Sequence, residues 1–96
     1  MQQKHQKTRA IVLTCERHPR YTFTVQPNVL NKEKPSSSFD IRVGVRRGED
    51  PLLLLQLSVG EELQLSKGLL CQIARIEFSY TGRRAIVHAR HITQIE

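Results

Sequence analysis

Apolar and polar residues alternate with period two along much of this chain, the repeat of a strand with one buried and one solvated face. A helix needs apolar residues at three- and four-residue spacing over some ten positions, whereas this chain repeatedly alternates with period two, so strands are the expectation. Tyr21, Phe23 and Val25 alternate with Thr22, Thr24 and Gln26; Phe39, Ile41, Val43 and Val45 with Asp40, Arg42, Gly44 and Arg46; and Ala85, Val87 and Ala89 with Ile86, His88 and Arg90. Shorter stretches complete the set. Ala10 to Thr14 is apolar, Leu63 and Leu65 alternate, and Leu52 to Leu57 is apolar enough to predict a strand covered on both faces. From Leu69 the inward series runs Leu69, Cys71, Ile73 and then changes phase to Ile76 and Phe78. One inserted residue does this, so a β-bulge is expected near Ala74-Arg75.

The breaks between these segments carry turn chemistry. His18-Pro19-Arg20 separates the first two strands, and because proline cannot donate to a ladder the pair should form a hairpin or a bent strand. Arg47-Gly48-Glu49-Asp50-Pro51, Val59-Gly60-Glu61-Glu62, Ser66-Lys67-Gly68 and Tyr80-Thr81-Gly82-Arg83 are further turns. Gln26 to Ser38 holds two prolines, two asparagines and three serines, a composition that forms solvated loops. The resulting expectation is an all-β fold, a small single-domain barrel of six to seven short strands, SH3-like or oligonucleotide-binding (OB)-like, over residues 10–96. A flexible basic tail at 1–9 precedes it and a flexible loop at 27–38 interrupts it. Ile92 and Ile95 are expected to tuck the end of the chain down. With 96 residues there is enough chain for one core and too little for two.

Composition refines this picture. Apolar residues are 39% of the chain but aromatics only 5%, so Leu, Ile and Val must fill the core. Cys15 and Cys71 stand far apart with no metal-ligand spacing and read as small buried thiols. The longest apolar run, Leu52 to Leu55, is far short of the roughly 18 to 20 residues of a membrane span, and Met1 to Arg9 lacks the apolar stretch of a signal peptide. A cytoplasmic protein without a membrane partner is the expectation.

Catalysis needs a nucleophile beside a base, paired carboxylates or a metal cluster, and none is evident, so an enzyme is not expected and no cofactor is called for. His88 and His91 are three residues apart on one strand and should face opposite ways, which argues against a shared metal. His5 lies in the tail and His18 beside Pro19. Glu61-Glu62 and Glu49-Asp50 are adjacent rather than convergent and read as turn decoration.

Charge is the strongest global clue. Fifteen Lys plus Arg against nine Asp plus Glu give a net +6, which favours polyanionic partners. The arginines fall in groups: Arg17 and Arg20 at the first turn, Arg42, Arg46 and Arg47 on and after the third strand, and Arg83, Arg84 and Arg90 on the last hairpin. A planar guanidinium matches phosphate oxygens and base edges, so outward arginines favour nucleic acid. Tyr21 and Tyr80 flank two of these groups; each is placed either to stack on an unpaired base or to cap the core.

Parts of the chain resemble two known families. Leu53-Leu54-Leu55 leading to Val59-Gly60-Glu61 and Leu63-Gln64-Leu65 is similar to the opening strand and VGE turn of the carbon storage regulator (CsrA) family of RNA-binding regulators. Ile86-Val87-His88 with Ile92 and Gln94 resembles that family's closing strand, and together the matches cover under half of the chain. Where that family has RNA-contacting arginines before VGE, this chain has Leu57 and Ser58; after Val87-His88 it has Ala89, with Arg90 one place later. Separately, Glu16-Arg17-His18-Pro19-Arg20-Tyr21 resembles the arginine motif of PilZ cyclic-dinucleotide receptors, while the partner DxSxxG motif is absent.

These observations predict a non-enzymatic, regulatory, nucleic-acid-binding barrel, with RNA or another single strand favoured. The binding residues would be Arg42, Arg46, Arg47, Arg83, Arg84, Arg90, Arg17 and Arg20, with Tyr21 and Tyr80. Two alternatives stay open: a protein-interaction adaptor that pairs through an exposed strand edge, and a PilZ-like receptor using Arg17 and Arg20. Homodimerisation through an exposed edge is compatible with any of them.

Overall fold

A computed structural model describes residues 9–31 and 38–92. Among them are six antiparallel strands, β1 (Ile11–Leu13), β2 (Tyr21–Val25), β3 (Ser38–Val45), β4 (Glu62–Leu65), β5 (Leu69–Phe78) and β6 (Ala85–His91). They form one sheet in the order β1-β2-β3-β6-β5-β4. The sheet curls into a half-barrel, the small all-β barrel class that the period-two pattern predicts. Its two edges meet where Cys15 pairs with Leu65 in an isolated antiparallel bridge. There Ser66 N–H donates to Thr14 O at 2.8 Å, and Thr14 N–H donates to Ser66 Oγ at 3.0 Å.

The alternation sorts most residues as expected, but Phe78, expected inward, lies at the end of β5 and is 45% exposed. Tyr21, Phe23 and Val25, then Ile41 and Val43, then Ala85, Val87 and Ala89 are buried on the inner face, with Leu13, Leu63, Leu65, Leu69, Cys71 and Ile73 from the remaining strands. Both cysteines lie in this aliphatic core. The register of β5 against β6 shifts between Ile73 and Arg75, so the bulge sits where the phase change placed it. Gly48, Gly60 and Gly82 take φ of 88°, 94° and 73° in the expected turns, a backbone conformation only glycine adopts without cost.

Two expectations are corrected. Leu52 to Leu57 is not a strand: Pro51–Gln56 is a 3-10 helix, its first turn closed by the Asp50 side chain, which accepts from Leu52 N–H. Proline fixes the φ of the first helical position and removes a ladder donor, and the aspartate cap satisfies an amide a strand would pair elsewhere. The loop at 27–38 is also partly built. Pro27–Leu30 is a 3-10 helix that buries Val29, and β3 begins at Ser38. Residues 32–37 of that loop, the tail at 1–8 with His5, and Ile95 lie outside the described residues. No helix among those described is long and apolar enough to cross a membrane.

Candidate nucleic-acid interface

Antiparallel pairing of β3 with β2 and β6 decides which outward side chains become neighbours. Thr22 stands opposite Gly44, Thr24 opposite Arg42, and Arg42 opposite Ile86. The β5–β6 hairpin turns at Tyr80 to Arg84, and its return brings Arg83 and Arg84 beside the end of β3. Two shallow grooves result. One, of about 340 Å³, is lined by Thr22, Thr24, Arg42, Gly44, Arg83 and Arg84, with Val43 and Val45. The other, of about 440 Å³, runs from Arg42 and Arg84 across Ile86 to Glu77, beside Phe78 and Ser79. Arg42 and Arg84 line both.

The arginines differ in what already engages them. Arg20 lies 3.8 Å from Glu49, and Arg75 bonds Glu77 at 2.7 Å. Among the described residues, Arg42, Arg46, Arg47, Arg83 and Arg84 have no ion pair and all are exposed, leaving their donors open to an incoming anion. Arg46 and Arg47 extend the basic strip beyond the end of β3, where Arg46 N–H donates to Arg20 O at 2.8 Å. Tyr80 is fully exposed at the hairpin tip. Arg90 does not join this group: it pairs in register with Ser38 and Gln72, towards the opposite end of the barrel.

The structure removes Tyr21 from the set. Its ring is 3% exposed and stacks on His18 at 4.9 Å, and its hydroxyl donates to Leu53 O. Burial, with a smaller push from Glu61, raises its phenol above the usual range. A base could not reach its face. Its period-two partners Phe23 and Val25 already marked it as inward, and the core-capping role is the one it takes.

Arg17 and Arg20 border a separate groove of about 280 Å³ with His18, Pro19, Tyr21, Leu53 and Gln56. His18 Nε2 lies 2.6 Å from Glu61 Oε2, so Glu61 is part of this corner and not mere turn decoration. Sequence gives no sign of that pair, which lies 43 residues apart along the chain.

His88 and His91 point opposite ways from β6, His88 to the outer face. His91 packs on Phe39 at 4.5 Å, whereas His88 Nδ1 lies 2.7 Å from Asp40 and its Nε2 lies 3.5 Å from Glu77. Glu77 thus lies between the Arg75 guanidinium and the His88 ring, and the hydrogen bond from Arg75 above all, with a smaller effect of the nearby His88, holds its carboxyl below the usual range. No cluster of three or more metal-ligating side chains occurs among the described residues. Thr22, Thr24, Gly44, Glu77 and Ile86 were all legible as outward from the alternation, but their convergence with the arginines follows only from strand register. Compared with known proteins, the chain matches no family model, no curated protein and no solved structure.

Proposed function

We propose that this chain is a non-enzymatic nucleic-acid-binding barrel, regulatory in role, that holds RNA or another single strand across the outer face of β2, β3 and β6. One observation carries the reading: Arg42, Arg83 and Arg84 line a common groove, and no carboxylate among the described residues engages them. Arg46 and Arg47 continue the basic strip, and Tyr80, fully exposed at the tip of the hairpin that carries Arg83 and Arg84, offers a face on which a base can stack. Each neutralised phosphate releases condensed counterions, so affinity for a single-stranded oligoribonucleotide falls steeply with salt. In titrations at several ionic strengths, Arg42→Ala and Arg84→Ala each weaken binding and lower the salt slope by about 1. Absence of binding, or binding indifferent to salt, refutes the reading.

A second reading has its own support. The groove between Arg17 and Arg20 has walls and a polar corner, the setting that a PilZ-like receptor for a cyclic dinucleotide would use. It predicts binding of a cyclic dinucleotide at low salt, lost in Arg17→Ala and kept in Arg84→Ala. The adaptor reading draws less support, because the two sheet edges it would use are drawn together at Cys15 and Leu65.

A further inference from the structure

Gly44 has no conformational need to be glycine. Its φ is not among the positive values, and a Cβ built on it would meet only Thr22 Oγ1, at 3.6 Å, an ordinary contact. A β-branched residue suits the interior of a strand better, so glycine here weakens the element it belongs to. What its missing side chain does is leave the floor of the groove open between the hydroxyls of Thr22 and Thr24 and the guanidinium groups of Arg42 and Arg84. Two hydroxyl donors and two unpaired arginines around an open floor suit a tetrahedral phosphate dianion or diester.

The adjoining groove has a different character. Ile86 is 37% exposed, a flat apolar surface directly across the ladder from Arg42, and Glu77 stands beside it on β5 opposite Ile86. The Glu77 Oε2 atom is bonded by Arg75, while Oε1 has only the 3.5 Å approach of His88 Nε2. That oxygen can accept a further hydrogen bond from a group lying on Ile86.

We infer that the two grooves are the halves of one nucleotide subsite, with a backbone phosphate seated over Gly44 and an unpaired base on Ile86, its exocyclic amino group donating to Glu77. This rests on the nucleic-acid reading above and adds a base preference to it. A carboxylate accepts from the N4 amino group of cytosine and repels the O4 carbonyl of uracil at the equivalent position. In an A-form RNA duplex the amino group lies in a major groove too deep and narrow for Glu77 to enter, and stacked bases cannot lie flat on Ile86, so the subsite favours single strands.

The test uses the full chain with labelled oligocytidylate and oligouridylate of equal length at neutral pH, followed by anisotropy. Wild type binds oligocytidylate roughly 10-fold more tightly, the scale of one good carboxylate-to-base contact. Glu77→Gln, whose amide can also donate, binds the two alike. Gly44→Val loses affinity for both by about 10-fold, through its filled floor and the phosphate contacts it displaces, and keeps or raises its thermal midpoint. Should that variant unfold, Thr22→Val with Thr24→Val removes both hydroxyls at constant shape and must weaken binding of both strands. Equal affinity of wild type for the two strands overturns the base half, and wild-type affinity in Gly44→Val, or in the threonine pair, overturns the phosphate half. If wild type binds neither strand, the nucleic-acid reading itself falls.

Discussion

Cys71 is fully buried among aliphatic side chains, and that burial, with a smaller contribution from Cys15, pushes its thiol up from 9.0 to about 12. The cause is desolvation: a thiolate in the core has lost water and gained no donor. A group whose folded value lies above its unfolded one gives stability that is complete below the unfolded value and lost as pH rises through the folded one. Urea unfolding should therefore show stability falling as pH climbs from 9 towards 12, and a Cys71→Ala variant, though less stable at neutral pH, should fall less over that range. Tyr21, also raised, adds to the loss at the top of the window. Identical pH profiles for wild type and Cys71→Ala would contradict this placement of the thiol.

The 3-10 helix Pro51–Gln56 shows what a period of three does to a run of leucines that a period of two treats alike. Leu54 and Leu57 turn into the core, at 1% and 5% exposed, while Leu52 and Leu55 stand out at 67% and 65%. In a 3-10 helix positions three apart eclipse, so one face is buried and the next is wet. Leu54→Ala should cost about 2–5 kcal/mol in denaturant titration, the ordinary loss for a core leucine. Leu55→Ser should stay within about 0.5 kcal/mol. A doubly covered strand would make both substitutions severe, so comparable losses at the two positions would restore that description.

At the scale of the whole molecule, β3 and β6 lie at the centre of the sheet, and β1 and β4 lie at its margins, joined by the Cys15–Leu65 bridge and the Thr14–Ser66 bonds. The interface proposed above therefore stands on the most deeply embedded strands and the closure on the least. Ser66→Ala removes one exposed hydrogen bond worth at most about 1 kcal/mol. Hydrogen exchange should quicken at β1 and β4 amides in this variant and stay unchanged along β3 and β6. Acceleration spread evenly over all six strands would mean that the seam and the centre open as one unit.

The order of apolar and polar residues by itself determined that the chain is β, which face of β2, β3 and β6 is buried, where the β5 bulge falls and which turns need glycine. These are local matters, fixed by side-chain period and by backbone sterics within a few residues. Sequence pattern misread Leu52 to Leu57 because four consecutive leucines carry no phase, and the Asp50-Pro51 start that decides for a 3-10 helix reads from sequence only as a turn. It identified outward arginines but not which of them meet, and it left Tyr21 between two roles. Only strand register could set Arg42 beside Thr24 and Ile86, send Arg90 to the far end, and bring His18 to Glu61. Register is a choice among long-range pairings, made by the packing of the inner face as a whole and not by any segment alone.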